Sequence, residues 1–228
     1  MHPLILIDGN SIGYASQNAT KLTVGDLEVQ AAFGVIKSLR ALTMQNTGHI
    51  PVVLWDGRAE WRKEIYPDYK SNRGKDPKMV AMKEAFKKQQ PYIEQMLSKL
   101  GIGQLRYTNL EADDIAGLLA RTATERGQKA ILVTGDKDWI QLVSPVVSWL
   151  DPIRNRSVSQ VNFAEFTGCI SPEQFVQLKA LKGDPSDEIP GVGGIGEKKG
   201  LELLTDYGSV DNFFRLWDES ELSSIKLP

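Results

Sequence analysis

"LILID", residues 4–8, is an unbroken apolar run that ends in an aspartate. The same pattern recurs in "VVLWD" (52–56) and "AILVTGD" (130–136), and a fourth run, 146–149, precedes Asp151. Continuous runs of Val, Ile and Leu, without polar alternation, are typical of strands in a sheet that is covered on both faces. The sequence therefore predicts three buried strands of one sheet and, from the run before Asp151, a fourth.

Helical periodicity separates these runs. Apolar residues repeat at intervals of three or four in two segments, 27–42 and 115–119. Strands that alternate with helices predict an α/β fold with a mostly parallel central sheet flanked by helices. Ligands bind such sheets outside the carboxyl ends of the strands. We therefore expect Asp8, Asp56 and Asp136 to arrive at one edge of the sheet.

Further carboxylates accompany these three. "LEADDIAG" (110–117) places Glu111, Asp113 and Asp114 at the start of a predicted helix, and Asp138 follows in "GDKDW". Acidic residues often only cap or begin helices, so each of them alone says little. Seven carboxylates near one edge, however, repel one another and raise their own pKa values. Hard divalent cations such as Mg²⁺ or Mn²⁺ relieve that repulsion, so the sequence predicts divalent-metal binding there.

Composition narrows the choice of chemistry. The 228 residues include one cysteine, Cys169, and two histidines, His2 and His49. This composition argues against a disulfide framework, a histidine-based zinc site and Ser–His catalysis. A reducing cytosol is the expected compartment. No apolar run approaches the ~20 residues of a membrane helix, and the N-terminus lacks the pattern of a signal peptide. We expect one large domain, or a domain with a smaller appendage, and no membrane partner.

Residues 58–103 form a predicted insertion without a clear strand. Residues 58–99 carry eleven Lys or Arg against six acids, a net charge of +5, whereas the rest of the chain carries −7. A helix is predicted from Met79 to Leu100, with a break or kink at Pro91. Three lysines lie close together on one side of it: Lys83, Lys87 and Lys88. The insertion is either a basic surface for a polyanion or a solvated helical face.

The glycine-rich stretch "GDPSDEIPGVGGIGEKKG" (183–200) resembles two nucleotide-binding patterns only superficially. The residues before its G-x-G-x-x-G pattern do not form a predicted strand, and the P-loop Lys-Ser/Thr pair is missing. Helical patterns lie on both sides, so we predict a helix–turn–helix whose exposed N–H groups bind a phosphate, with lysine contacts that are blind to base sequence. The residues of this predicted phosphate-binding turn are Gly191, Gly193, Gly194, Gly196, Lys198 and Lys199.

Six motifs in order, "LIDGN", "WDG", "YKSNR", "EADD", "TGDKD" and the glycine-rich stretch, resemble those of the 5′-nuclease (flap endonuclease) superfamily. The likeness is particularly to bacteriophage 5′→3′ exonucleases and the 5′-nuclease domain of bacterial DNA polymerase I, over nearly the whole chain. The resemblance implies a nuclease core at 1–168 with a helical arch at about 58–103. It also implies a helical DNA-binding subdomain at 169–228 with a hinge at 191–200, and members of the superfamily usually carry further helices after this motif.

The resemblance implies nine carboxylate ligands for two Mg²⁺ (or Mn²⁺) ions. One set is Asp8, Asp56, Glu111, Asp113 and Asp114, and the other is Asp136, Asp138, Asp184 and Asp187. Within "YKSNR", Tyr69 is implied to stack on the substrate, and Lys70 and Arg73 to act as catalytic cations at the scissile phosphate. A K⁺ ion at the hinge is implied to bind the backbone of Val192 and Ile195.

The implied function is that of a metal-dependent, structure-specific 5′→3′ exonuclease and flap endonuclease. Its expected substrates are DNA with a 5′ flap, a 5′ overhang or a nicked or branched duplex, in replication, primer removal or repair. The expected form is a monomer in the cytoplasm of a bacterial or phage-infected cell. Two alternatives stay open: a non-catalytic DNA-structure-binding protein, and a ribonuclease that acts on RNA paired to DNA.

Overall fold

The computed structural model describes residues 1–218. These residues form two compact units. The first comprises Met1–Ile65 and Gly74–Gln160, and the second comprises Tyr66–Arg73 together with the described residues from Val161. The boundary at 168–169 and the arch limits stay predictions, and residues 219–228 of the predicted helical subdomain lie outside the described residues.

The described residues contain ten strands and nine α-helices. The strands are β1 (Leu4–Asp8), β2 (Thr23–Val24), β3 (Leu27–Glu28), β4 (Ile50–Leu54), β5 (Gly103–Leu105), β6 (Ala130–Val133), β7 (Val147–Asp151), β8 (Arg156–Val158), β9 (Gly183–Asp184) and β10 (Ile189–Pro190). The helices are α1 (Gly9–Gln17), α2 (Gln30–Gln45), α3 (Trp61–Ile65), α4 (Pro77–Lys99), α5 (Ala112–Glu125), α6 (Phe163–Thr167), α7 (Pro172–Lys182), α8 (Glu197–Tyr207) and α9 (Val210–Asp218). Among these helices, none has the length and apolar character needed to cross a membrane.

Six strands of the first unit form one sheet in the order β5-β4-β1-β6-β7-β8. Every neighbouring pair is parallel except β7–β8. The predicted mostly parallel sheet flanked by helices is therefore confirmed. The sequence missed β5 and β8, which are three residues long and too short to show a period.

The core explains why the strand patterns are continuous. Ile5 and Leu6 are neighbours whose side chains point to opposite faces of the sheet, and both are fully buried. Ile5 belongs to a cluster with residues of α1, α2 and α4, such as Val35 and Ile93. Helix α5 contacts β4, β6 and β7. Both faces of the sheet therefore need apolar side chains.

The structure corrects one local prediction in the helices and decides part of another. The helical repeat predicted from Leu27 begins too early, because Leu27 pairs with Val24 in a small antiparallel hairpin and α2 begins at Gln30. Of the break or kink predicted at Pro91, the break is absent, since α4 continues from Pro77 to Lys99, and the kink stays a prediction. Buried side chains on both sides of the proline, including Gln89 and Ile93, stabilise the helix through the missing N–H.

Gln89 also accepts hydrogen bonds from backbone N–H groups at the start of α2. Its side-chain oxygen accepts the backbone N–H groups of Ala31 at 3.0 Å and Ala32 at 3.3 Å. Its amide nitrogen donates to the side-chain oxygen of Gln17 at 2.7 Å. The first N–H groups of a helix have no intrahelical partner. A glutamine from α4 therefore supplies the cap that α2 does not supply itself.

In the second unit, helices α7 and α8 lie on either side of the glycine-rich stretch. Gly200 lets them approach closely, because a Cβ atom there would lie 2.8 Å from a methyl group of Leu178. Between the two helices, β9 and β10 pair antiparallel, with Ile189 opposite Asp184. The sequence predicted no strand before Gly191. The observed one is two residues long and antiparallel, so it is not the parallel strand of a dinucleotide-binding unit.

Candidate active site

Three of the predicted carboxylates lie at the carboxyl ends of neighbouring parallel strands. Asp8 is the last residue of β1, Asp56 follows β4 by two residues, and Asp136 follows β6 by three. Because β4, β1 and β6 are adjacent, these residues share one edge of the sheet. We call the seven carboxylates of the first unit the acidic edge: Asp8, Asp56, Glu111, Asp113, Asp114, Asp136 and Asp138.

Asp8 is the most buried carboxylate of the acidic edge, with 8% of its surface exposed. One oxygen accepts the N–H of Ser11 at 2.8 Å, which caps α1, and the other accepts the hydroxyl of Thr134 at 2.8 Å. The same hydroxyl accepts the N–H of Asp136 at 3.0 Å. Thr134 therefore connects the ends of β1 and β6, a role that only its place in "TGDKD" hinted at.

The environment of Asp8 is strongly anionic. Burial, together with the smaller effect of the charges of Asp56 and Asp113, raises the pKa of this carboxyl to about 7, against hydrogen bonds from Ser11 and Thr134 that lower it. Such a group resists ionisation at neutral pH unless a cation lies nearby. The donor set, made of carboxylate oxygens whose charges repel one another, therefore fits a hard divalent cation.

Helix α5 is fixed to this edge through its first residues. Asp56 accepts the N–H of Ala112 at 2.9 Å and also accepts the side-chain amide of Asn10. Asp113 accepts the indole N–H of Trp139, and Trp139 is almost fully buried. Asn10 and Trp139 were not predicted as site residues, although Asn10 belongs to the "LIDGN" motif.

Arg62 of α3 lies against two carboxylates at the start of α5: Glu111, just before the helix, and Asp114, in its first turn. Its guanidinium donates to both oxygens of Asp114, at 2.7 and 3.0 Å. Its Nε lies 3.8 Å from a carboxylate oxygen of Glu111. The backbone N–H of Glu111 donates to Asp114 at 2.9 Å. No feature of the sequence distinguished Arg62 from the other cations of the insertion.

These contacts determine how the acidic edge can receive a metal. Within residues 1–218, no group of three or more His, Cys, Asp or Glu side chains is arranged so that it could hold a metal ion. The indole N–H of Trp139 donates to an oxygen of Asp113, and the N–H of Ala112 donates to an oxygen of Asp56. The guanidinium of Arg62 donates to both oxygens of Asp114. Metal binding here therefore requires the carboxylates to rearrange so that several of them face one ion.

The second unit contributes two predicted carboxylates. Asp184 accepts the Lys179 ammonium at 2.8 Å, and the backbone N–H and hydroxyl of Ser186 at 2.9 and 2.6 Å. Partial burial opposes ionisation, but these donors outweigh it and hold the pKa of Asp184 at about 2. Asp187 pairs with the guanidinium of Arg73 at 2.8 Å. Asp184 is therefore ionised throughout the physiological range.

The predicted catalytic cations lie on a loop of the second unit, Tyr66–Arg73, which we call the basic loop. Its Lys70 N–H donates to the backbone oxygen of Asp187 at 3.1 Å, and Asn72 donates to that of Pro185 at 2.9 Å. Tyr66 donates its hydroxyl to the backbone oxygen of Glu188 at 2.8 Å. Residues between β9 and β10 therefore hold the basic loop in place.

Two side chains of the basic loop, those of Tyr69 and Lys70, contact each other. Lys70 has a φ of 56°, a left-handed conformation that non-glycine residues seldom adopt. Its ammonium lies 4.6 Å from the centre of the Tyr69 ring. The hydrogen bond from its N–H to Asp187 accompanies this conformation. The predicted stacking residue and the predicted catalytic lysine are thus a contacting pair.

The hinge begins with a close backbone contact. A Cβ atom at Gly191 would lie 2.4 Å from the carbonyl carbon and 2.5 Å from the carbonyl oxygen of Lys182. The N–H of Val192 donates to the backbone oxygen of Leu181 at 2.7 Å. Only glycine fits at Gly191, because the atoms it meets belong to the backbone at the end of α7.

The rest of the hinge is open. A Cβ atom at Gly193 or Gly196 would meet nothing within 4 Å, and Gly194 has a φ of +81°. The N–H of Ile195 donates to the Val192 carbonyl at 2.9 Å. The two predicted basic residues, Lys198 and Lys199, lie in the first turn of α8. The K⁺ site at Val192 and Ile195 stays a prediction.

The three predicted arch lysines lie on α4. Lys87 and Lys88 are exposed, whereas Lys83 is half-buried. The buried face of this helix carries Phe86 and Gln89. The lysines therefore belong to the part of α4 that the core does not use, which is compatible with either explanation of the basic insertion.

The sequence matches known families along almost its whole length. The family model for the 5′-3′ exonuclease N-terminal resolvase-like domain matches residues 3–169, and that for the 5′-3′ exonuclease C-terminal SAM fold matches residues 170–227. The thermostable DNA polymerase I of Thermus filiformis is 36% identical over 225 residues, which is 98% of this chain and 26% of the polymerase. The chain thus spans about a quarter of that relative's length.

Solved structures share the fold. The 5′-exonuclease of phage T5 with bound zinc superposes with a TM-score of 0.79 at 25% identity, over 93% of this chain and 78% of that chain. The flap endonuclease of bacteriophage T5, in a complex with DNA and metal ions, gives a TM-score of 0.77 with the same identity and coverage. The likeness includes both the α/β core and the C-terminal helical fold.

Proposed function

The chain belongs to the 5′-3′ exonuclease family, and on that basis we propose that it is a divalent-metal-dependent, structure-specific 5′ nuclease. It hydrolyses phosphodiesters near the 5′ ends of flapped, nicked or branched DNA and acts as both exonuclease and flap endonuclease. One observation carries the proposal: the acidic edge, where burial and the charges of neighbouring carboxylates raise the pKa of Asp8. Its biological setting in this proposal is replication, primer removal or repair.

Carboxylates of the acidic edge would hold the first ion, in this proposal Mg²⁺ or Mn²⁺, with Asp8 and Asp56 as central donors. When two such ions are bound, one would supply a hydroxide nucleophile at neutral pH and the other would stabilise the oxygen that leaves. The ligands proposed for the second ion are the four carboxylates that the family resemblance implies: Asp136, Asp138, Asp184 and Asp187. The products are a 5′-phosphate and a 3′-hydroxyl.

Within the proposal, the basic loop acts on the substrate directly. Lys70 and Arg73 offset the negative charge that accumulates on the phosphoryl oxygens, and Tyr69 stacks on a base. The backbone contacts of the loop to Asp187 and Pro185 fix its conformation before the substrate arrives. Arg73 exchanges its bond with Asp187 for the phosphate. Pre-organisation of this kind lowers the reaction barrier, because the groups need not be ordered during the reaction.

Duplex binding is proposed to depend on phosphate contacts. The open backbone at Gly193 and Gly196 can approach a phosphate closely, and Lys198 and Lys199 add positive charge. A K⁺ ion is proposed to bind at the hinge, and the arch lysines of the first unit are proposed as separate contacts to the DNA. Contacts to phosphates carry no base information directly, so the enzyme selects a DNA structure and not a base sequence.

Cleavage of a 5′-labelled flap duplex and a matched single strand tests the proposed function. We expect cleavage near the flap junction with Mg²⁺, and none with Ca²⁺ or with EDTA. The single strand is expected to be cleaved much less, since it offers no junction. Binding without cleavage in every metal condition would instead indicate a non-catalytic DNA-structure-binding protein. A strong preference for an RNA flap strand would favour the ribonuclease alternative.

Salt dependence tests the phosphate contacts separately. The logarithm of the DNA affinity should fall linearly with the logarithm of salt concentration, with a slope of roughly −0.9 per phosphate neutralised. Lys198→Ala and Lys199→Ala should each make this slope shallower by about 1. Fluorescence anisotropy of a labelled flap in Ca²⁺, over a KCl series, measures it.

Lys37→Ala provides the control for this measurement, because Lys37 is an exposed lysine of α2 that lies outside the proposed DNA surface. Its slope should equal that of the wild type. A flat salt slope in the wild type would contradict phosphate binding at the hinge. An equally reduced slope in Lys198→Ala, Lys199→Ala and Lys37→Ala would contradict it as well.

A further inference from the structure

Asp114 differs from Asp8 and Asp56 in its partners, because a guanidinium already binds both of its oxygens. From this contact we infer that Arg62 and Asp114 are positioning residues, which fix the start of α5, and that Asp114 is not itself a metal ligand. The inference rests on the proposed function, since it concerns how the chain presents its metal-binding carboxylates.

Arg62 is held rigidly in front of α5. The indole N–H of the preceding residue, Trp61, donates to the backbone oxygen of Asn109 at 3.0 Å, and the Arg62 guanidinium lies 4.5 Å from the centre of the Trp61 ring. The N–H of Gly57 donates to the backbone oxygen of Leu110 at 2.8 Å. With a further bond from the N–H of Arg58 to the backbone oxygen of Thr108 at 2.6 Å, the segment that carries Arg62 is bonded three times to the loop that leads into α5.

The oxygens of Asp114 are committed to these protein donors. One oxygen accepts Arg62 at 2.7 Å, and the other accepts both Arg62 at 3.0 Å and the N–H of Glu111 at 2.9 Å. Bidentate pairs between arginine and a carboxylate are the strong, geometrically specific form of this contact. About a quarter of the Asp114 side chain and a fifth of that of Arg62 are exposed, so water screens the pair only partly. A metal ion at Asp114 would therefore have to compete with the guanidinium of Arg62 for the same oxygens.

Asp8 and Asp56 present a different arrangement. Their hydrogen-bond donors are neutral: backbone N–H groups, a hydroxyl and a side-chain amide. Neutral donors leave the negative charge of a carboxylate in place, whereas a guanidinium cancels it. A divalent cation therefore gains more from Asp8 and Asp56 than from Asp114.

The contacts also show what the pair does. Asp114 accepts the N–H of Glu111, and Asp56 accepts the N–H of Ala112, so both sides of the helix start are fixed. These bonds set the direction in which Glu111 and Asp113 project. Loss of the pair would leave the metal-binding side chains present but less well placed. Groups that orient metal ligands typically change metal affinity by about 10–100-fold when they are removed.

Direct Mn²⁺ binding by the full chain without DNA, measured as free Mn²⁺ by electron paramagnetic resonance, tests the inference. Arg62→Gln and Asp114→Asn should each weaken Mn²⁺ binding by about 10–100-fold. The double variant should bind no more weakly than the weaker single variant, because the two residues act as one pair. Arg62→Lys should fall between wild type and Arg62→Gln, since an ammonium cannot form the two parallel bonds.

Two results would overturn the inference. Tighter Mn²⁺ binding by Arg62→Gln would mean that the guanidinium only competes with the metal. A much larger loss in Asp114→Asn than in Arg62→Gln, with additive effects in the double variant, would mean that Asp114 is a ligand.

The controls separate this inference from the proposed function. Arg121→Gln removes the exposed ion pair with Glu125 on the same helix and should leave Mn²⁺ binding unchanged. Thermal unfolding in EDTA shows whether each variant folds, and Arg62→Lys keeps the charge if Arg62→Gln does not fold. A wild type that cleaves flaps while Arg62→Gln binds Mn²⁺ more tightly overturns only this inference. A wild type that neither binds Mn²⁺ nor cleaves overturns both.

Discussion

Asp8→Asn should lower the rate of flap cleavage by roughly three orders of magnitude in Mg²⁺. Loss of a central ligand removes several kcal/mol of transition-state stabilisation, and about 4 kcal/mol corresponds to ~10³ in rate. The substitution preserves the helix cap, because asparagine caps a helix as well as aspartate does and can still accept the Ser11 N–H. It therefore removes the charge and leaves the local fold. Single-turnover cleavage of a labelled flap measures the loss.

The same substitution should make the protein more stable in EDTA above neutral pH. The pKa of Asp8 is raised from 3.8 in the unfolded chain to about 7 in the folded protein. The stability that this shift contributes is complete below about pH 4 and is lost as the pH rises through about 7. At 1.36 kcal/mol per unit, the loss is about 4 kcal/mol in total. An asparagine side chain does not titrate, so the variant escapes this loss.

Urea unfolding at about pH 5 and about pH 8, in EDTA and in Mg²⁺, checks this behaviour. The wild type should lose stability relative to Asp8→Asn between the two pH values in EDTA, and Mg²⁺ should restore it only in the wild type. Asp26→Asn removes an exposed acid away from the acidic edge and keeps Asp8, so it should behave like the wild type in both respects. Cleavage by Asp8→Asn at near wild-type rate, or a stability difference that is independent of pH, would refute the assignment.

Gly191→Ala should impair the second unit severely. The added carbon would lie 2.4–2.6 Å from the backbone of Lys182 and Leu181, and no side-chain rotation relieves an overlap with backbone atoms. Overpacking costs typically 1–3 kcal/mol, and a rigid backbone puts this position at about 3 kcal/mol or more. Because the displaced segment leads into the hinge, flap binding should also weaken by about tenfold or more, in line with ~1.4 kcal/mol.

Gly193→Ala is the matched control for this substitution. A Cβ atom there meets nothing within 4 Å, so the free energy of unfolding should change little. Thermal unfolding and fluorescence anisotropy with a labelled flap measure both variants. If Gly191→Ala unfolds and binds DNA like the wild type, then the hinge tolerates displacement and the glycine has no packing role.

The sheet and its acidic edge were predictable because their signals are local. Each long strand is a continuous apolar run, and the aspartates follow these runs directly, so strand order alone brings Asp8, Asp56 and Asp136 to one edge. The ribbon of β9 and β10 escaped prediction because two-residue strands have no period. At Pro91 a local rule failed, since buried neighbours in the same helix outweighed the missing N–H.

The partners of the carboxylates were not predictable in this way. Arg62 and Asp114 are 52 positions apart, Thr134 and Asp8 are 126 apart, and Trp139 and Asp113 are 26 apart. A single sequence indicates which residue types are present and where the strands end. It does not indicate which arginine of a basic segment meets which acid, because this depends on how distant loops fold together.

The basic loop has a consequence for how such proteins can be recombined. The chain enters the second unit at Tyr66, leaves it after Arg73 and enters it again at Val161. Tyr66 and Asn72 bond to residues 122 and 113 positions further along. A single crossover near residue 160 between two related genes would therefore join a new ribbon to an old loop. The second unit is not one continuous segment of the chain, so its exchange requires two separate segments to be inherited together.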